Sequence, residues 1–365
     1  MDTNKIIDRF IKYVKTDSQS RDEIRFCDLI TSELEALGFK VTKDYNAGEK
    51  CGSNGYNIYA KLPGEGTPIL LSAHLDTVFP GKNINPVIRD NVIYSDGTTI
   101  LGADDKAGIC SILSAIAYMN ENNIAHRPVE VLFSLCEELG LLGSRYADYS
   151  VVESRQAVVF DTDTVGRIVN SAAANMVLHF DFFGKSAHAG ISPEKGKHAL
   201  KAAAEAISNI PVGHVDDISV MNISNFLAPG KTNVICDKAS FDMEIRSLKE
   251  ERLQEHIQST LNTISNACKL FDVTFEYETD RHSNVIAVSE DSTLIKEVVA
   301  AYKELGVDAT LTQTFGGCDA TNLCNAGIEA INVGIGMKDV HGCNEYIAID
   351  DLVTTTKFVL NLLRK

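Results

Sequence analysis

Residues 129–140 read VEVLFSLCEELG, an almost unbroken apolar run that ends on two adjacent glutamates, Glu137 and Glu138. A short continuous run of this kind predicts a strand buried on both faces, as in the middle of a parallel sheet. The two glutamates stand where that strand emerges. A buried carboxylate is costly unless something positive meets it. In a polar context the pair would read as a solvated helix start, but the apolar lead-in argues for a counter-charge.

The same texture continues on either side. YNIYAKL (56–62), PILLSAHLDTV (68–78) and RQAVVFDTD (155–163) predict strands, and DKAGICSILSAIAYMN (105–120) predicts a helix. Apolar spacing of i, i+3, i+4 predicts helices over 2–15 and 21–37, the second stopping at Gly38. Strand and helix in turn predict an α/β fold, a mostly parallel sheet with helices on both faces. Near residue 173 the pattern changes. MVLHFDFFG (176–184), GKHALKAAAEAISNI (196–210), ISVMNISNFLA (218–228), ASFDMEIRS (239–247), a helix over 250–270 and DVTFEYET (272–279) spell β-α-β-β-α-β. That predicts an inserted ferredoxin-like α+β domain over 173–283, set into a domain made of 1–172 and 284–365. The α/β pattern returns in 291–306, EAINVGIG (329–336) and a closing helix over 350–365.

Composition narrows the function. Net charge is −16, from 34 Lys+Arg against 50 Asp+Glu, with no basic run, which speaks against nucleic acid or an anionic membrane as partner. No stretch approaches the ~18 apolar residues of a membrane span, and the start lacks a signal-peptide core, so a cytoplasmic protein is expected. Nine cysteines are scattered without a CxxC, the usage of reduced, buried thiols. No G-x-G-x-x-G or other glycine phosphate loop supports a nucleotide-binding alternative.

In open parallel sheets ligands bind beyond the carboxyl ends of the strands, and polar clusters follow the strands here. His74 and Asp76 lie two apart on SAHLDTV, on one side of a strand, as a metal-bound histidine and the carboxylate that orients it would. Asp104 and Asp105 sit between Gly102 and Gly108 at a helix entry; Asp161 and Asp163 end another strand; His341 lies in HGCNEY. Capping alone accounts for a single Asp at a helix start, but not for the joint set. Histidines and carboxylates without cysteine suit zinc, with manganese or cobalt also compatible. Metal-assisted hydrolysis needs one carboxylate to hold the ion and another to take a proton from water, a division that adjacent glutamates can make.

Five motifs in order, SAHLDTV, LGADDKAG, CEELGLLGS, VFDTDTVG and HGCNEYIAIDDL, make the chain resemble the co-catalytic di-zinc peptidases that include peptidase T, carboxypeptidase G2 and the aminoacylases, closest to the peptidase T-like branch. The resemblance spans essentially the whole chain. It implies a zinc-peptidase fold, with His74 and Asp161 on one zinc, Glu138 and His341 on the other, and Asp104 bridging them, with a cis peptide between Asp104 and Asp105. It further implies Glu137 as general base and Asp76 as the carboxylate behind His74. His188 in GKSAHAG, Asn233 in GKTNV and Arg246 in EIRS would contact substrate, and Gly316 and Gly317 would form a substrate-facing loop. The inserted domain would act as a lid and allow homodimerisation. The function implied is release of the N-terminal residue of tripeptides or similar short peptides. An aminoacylase- or carboxypeptidase-like amidohydrolase is the alternative within the class, and a non-catalytic peptide-binding relative the alternative outside it.

Overall fold

The strand Val129–Ser134 is buried at every position and lies inside a nine-stranded sheet, beside Ile69–His74, which is equally buried. A computed structural model describes residues 1–365. Four strands form the parallel centre, in the order Val129–Ser134, Ile69–His74, Gln156–Thr162 and Glu329–Gly334. Their register sets His74 opposite Ser134, so the segments after His74, Ser134 and Phe160 all leave the sheet at its carboxyl edge. Outside this centre the pairing turns antiparallel, through Asn57–Leu62 and Lys40–Asp44 on one side and Arg167–Ala172 on the other.

Helix Ala103–Glu121 lies on the strands Ile69–His74 and Gln156–Thr162, and is covered in turn by helices Thr3–Val14 and Ile349–Leu363. Burial of this helix on nearly all sides explains why, past its first turn, its sequence is mostly apolar or small. Gly108 permits the close approach: a Cβ there would stand 2.8 Å from the Phe160 carbonyl oxygen. Helices Ile24–Ala36 and Ala320–Asn325 pack on Asn57–Leu62 and on Glu329–Gly334. Thr3–Val14 starts on Asp2, whose carboxylate accepts the Asn4 N–H, and buries Ile6, Phe10, Tyr13 and Val14 at the predicted spacing.

A four-stranded antiparallel sheet was not foreseen. It pairs Met337–Lys338, Tyr346–Ala348, Val92–Tyr94 and Val87–Arg89 in that order. Strands of two or three residues carry no periodicity to read. The hairpin formed by its first two strands presents His341 in its loop.

The chain divides into two compact units: residues 1–170, 287–313 and 317–365, and residues 171–286 with 314–316. The second unit holds a five-stranded antiparallel sheet in the order Gly213–Asp216, Ser219–Leu227, Lys238–Ser247, Ala174–Phe183, Thr274–Ser283. Helices Ala199–Asn209 and Glu250–Phe271 pack on it. Without the short first strand this is the ferredoxin-like order. Its core joins Phe180, Phe182, Phe241, Met243 and Ile245 to Ala202, Ala203, Leu253 and Ile264 of the helices. No helix of the chain is long and apolar enough to cross a membrane. All nine cysteines are free, and all but Cys324 and Cys343 are buried.

Candidate active site

His74 is the last residue of its strand and 1 % exposed. Its Nδ1 lies 3.0 Å from the Asp76 carbonyl oxygen, which can only accept, so Nδ1 carries a proton and Nε2 faces inward. Nε2 stands 2.9 Å from Asp104 Oδ1 and 4.0 Å from Asp161 Oδ1. The backbone N–H of His74 donates to Asp105 Oδ2 at 3.1 Å, so the two adjacent aspartates serve different partners. They are joined by a cis peptide bond, and Gly102, two residues before Asp104, has a φ of +76° that suits glycine.

Past Ser134 the chain turns sharply through Cys136, at φ +47°, into the short 3₁₀ turn Glu137–Leu139. Both glutamate backbones are pinned by one group. Asp76 Oδ1 accepts the Glu137 N–H at 2.9 Å, and Oδ2 accepts the Glu138 N–H at 3.3 Å and the Ser20 hydroxyl at 2.6 Å. The Asp76 carboxylate also reaches His74 Nδ1 at 3.4 Å. It therefore orients the glutamate pair at least as directly as it orients the histidine.

His341, at φ +63° and half exposed, brings Nε2 to 3.2 Å from Asp104 Oδ2 and 3.0 Å from Glu138 Oε1. Two triads thus share Asp104: His74, Asp104 and Asp161 on one oxygen, and Asp104, Glu138 and His341 on the other. A third grouping, His74 with Glu137 and Glu138, also converges. Glu138 Oε1 is buried yet receives no hydrogen bond, despite the nearby imidazole. Asp105 Oδ1 is in the same state. No lysine or arginine pairs with Asp104, Asp161, Glu137 or Glu138.

The electrostatics follow from this crowding. Burial first, then Asp161, pushes Glu137 well above the carboxylate range; burial and Asp104 do the same to Asp161. Asp104 goes the other way, because hydrogen bonds from His341 and His74 outweigh its burial. Asp104 and Glu138 raise His341 to about 10, and for His74 the bonds to Asp104 and Asp76 overcome the opposing burial. Protons on the imidazoles are the only positive charge inside a nest of carboxylates. An unpaired buried acceptor, converging nitrogen and oxygen donors and excess negative charge are what a pair of divalent cations fits.

His188, Asn233 and Arg246 lie in the second unit. His188 and Asn233 come together, since the Ala189 N–H donates to the Asn233 carbonyl and the Ile235 N–H to that of Ala187. Both are exposed, and His188 Nδ1 accepts the Gly190 N–H at 3.2 Å. Arg246 is already engaged: it pairs with Glu244 at 2.8 Å and donates to the Phe315 carbonyl at 2.7 Å. Gly316 and Gly317 follow the strand Thr310–Thr314, and the Gly316 N–H is held by the Thr314 hydroxyl. Asp163 turns away to an ion pair with Arg167.

Supporting residues carried no motif. Asn332 holds the main chain of Asp161, accepting its N–H at 2.8 Å and donating to its carbonyl at 2.7 Å. A polar residue inside the apolar strand EAINVG was the available signal. Buried Asp319 accepts the hydroxyls of Ser134 and Ser144, tying the end of the glutamate strand to the helix that follows.

Residues 70–365 match the peptidase family M20/M25/M40. The chain belongs to this family. Among M20/M25/M40 relatives, it is 27% identical over 414 residues to a peptidase T of Listeria innocua, covering 99% of this chain and 98% of that one. The solved aminopeptidase PepT of Bacillus cereus superposes with a TM-score of 0.93 at 31% identity, covering 99% of this chain and 98% of the other. A tripeptidase of Staphylococcus aureus gives 0.92 at 27%, with the same coverage of each chain. The expected family, its peptidase T-like branch and the α/β fold with its insert are therefore correct, and the protein is a metallopeptidase.

Proposed function

We propose that this M20/M25/M40 peptidase removes the N-terminal residue of tripeptides and similar short peptides, using two divalent cations, zinc in the first place, bound around Asp104. The observation that carries the reading is the pair of triads sharing Asp104, one on each of its oxygens. His74 and Asp161 would hold one ion, Glu138 and His341 the other. Such a pair lowers the pKa of water and polarises the scissile carbonyl. Glu137 stands beside both triads, 9 % exposed, with its backbone pinned by Asp76. Burial among carboxylates raises its basicity, which suits it to take the proton from water and return it to the leaving amine. Glu138, adjacent and facing His341 with a buried oxygen that receives no hydrogen bond, suits the ion. His188, Asn233 and Arg246 enter as substrate contacts of the second unit. Lid action and self-association through that unit complete the proposal; its outer strand Thr274–Ser283 pairs on one side only. A single-protomer mass in light scattering would remove the self-association. The cytoplasm is the proposed compartment, in keeping with free, buried thiols.

The test is cleavage of a panel of tripeptides, dipeptides and N-acyl amino acids by the zinc-loaded protein. Tripeptides should lose their first residue fastest, and Glu137→Ala should cost about 10²–10⁴-fold in kcat while both ions stay bound. Preference for N-acyl amino acids would favour the aminoacylase-like alternative. Full activity in Glu137→Ala would remove Glu137 as base.

A further inference from the structure

Glu345 is 1 % exposed and stands four residues beyond His341, at the end of its loop. Its carboxylate forms no ion pair. Instead it takes three backbone N–H groups from the segment that delivers Asp104: Leu101 at 2.7 Å and Gly102 at 2.8 Å on Oε2, and Asp104 itself at 3.1 Å on Oε1. Its own main chain is fixed as well, the N–H donating to the Gly342 carbonyl at 3.2 Å and the carbonyl accepting the Ser95 N–H at 3.0 Å. The adjoining ladder pairs Tyr346 with Tyr94 and Ile347 with Ile93. The small antiparallel sheet thus brings together the strand that leads toward Asp104 and the strand that follows the His341 loop. Glu345 closes the junction between them.

The two triads depend on this junction unequally. His74 and Asp161 emerge from adjacent strands of the central sheet, and Asn332 holds the Asp161 backbone on both sides. His341 has no comparable support: it sits in a hairpin loop, half exposed, in a left-handed conformation. What fixes its distance to Asp104 is the tie between the two loops. We infer that Glu345 is a positioning residue for the second cation, holding the Asp104 segment and the His341 loop in one register so that Asp104, Glu138 and His341 converge. The inference rests on the two-cation reading of the site. A carboxylate suits the task because its oxygens accept several N–H donors at once. A glutamine would set an NH₂ against one set of those N–H groups, and an aspartate is one methylene short.

The experiment is zinc titration of the metal-free full chain by calorimetry, comparing wild type, Glu345→Gln and Glu130→Gln. Glu130 is the control: it is 2 % exposed and likewise accepts backbone N–H groups, from Glu153 and Ser154, but at the opposite end of the Val129–Ser134 strand. Wild type should take two ions. Glu345→Gln should keep the tighter site within about threefold and bind the second ion at least tenfold more weakly, with kcat restored by excess zinc. Glu130→Gln should lower Tm while leaving both affinities unchanged. Unchanged zinc affinities in Glu345→Gln, or an equal weakening in Glu130→Gln, would overturn the inference. A wild-type chain that binds fewer than two ions would instead defeat the two-cation reading.

Discussion

Glu137 and Glu138 differ in position more than in chemistry. Both follow the same buried strand and both backbones hang on Asp76, yet only Glu138 reaches His341, through a buried oxygen that receives no hydrogen bond. Asp76 is thus a joint between the histidine strand and the glutamate turn. Asp76→Asn keeps the size but replaces one acceptor oxygen with a donor that faces an N–H group. The expected result is a loss of about 10–100-fold in kcat, the range seen when groups behind metal ligands are changed, with a smaller change in KM. Steady-state kinetics on a good tripeptide checks this; a change confined to KM would contradict it. His74, His341 and the carboxylate pairs were legible as candidates because carboxylates after apolar strands are costly without a purpose; the choice of Asp104, Glu138 and Asp161 within those pairs came from the family resemblance. Glu345 and Ser20 were not. Their partners are backbone N–H groups or a lone carboxylate oxygen, and such contacts leave no pattern in the chain.

At the scale of elements, the helix that carries Asp104 is braced from outside. Arg9, on Thr3–Val14, donates to Ser114 of Ala103–Glu121 at 3.0 Å and to Glu33 of Ile24–Ala36 at 3.2 Å. Glu33 also accepts from Lys12 at 2.7 Å and Tyr13 at 2.6 Å. Burial pushes its carboxyl up, but Lys12, Tyr13 and Arg9 outweigh that and hold it below its ordinary value. A lowered folded pKa means stability that is fully present above the unfolded value, about 4.3, and is lost as pH falls through the folded one. Glu33→Gln should therefore cost about 1 kcal/mol at neutral pH and flatten the acid side of the stability curve below pH ~4.3. Urea unfolding across pH checks both, and parallel wild-type and variant curves would contradict them. The long elements were readable from periods of 2 and 3.6. The small sheet was not, since Met337–Lys338 and Val87–Arg89 are too short to show a period and the latter is exposed throughout.

Across the whole molecule, one arrangement accounts for the chemistry. Three of the four parallel strands deliver His74, the glutamate turn and Asp161 to a single edge, and a short hairpin adds His341. The acidic balance of −16 lies on a chain whose centre gathers carboxylates without lysine or arginine partners. The fold and its family were legible because three of the five motifs, SAHLDTV, CEELGLLGS and VFDTDTVG, stand at the ends of buried strands; the proposed division between Glu137 and Glu138 draws on geometry at the turn that follows the second of them. The most direct measurement is anomalous diffraction at the zinc edge from crystals of the zinc-loaded protein. Two peaks are expected, one beside His74 and Asp161 and one beside Glu138 and His341, with Asp104 between them and Glu137 touching neither. A single peak, or a peak coordinated by Glu137 in place of Glu138, would contradict the account.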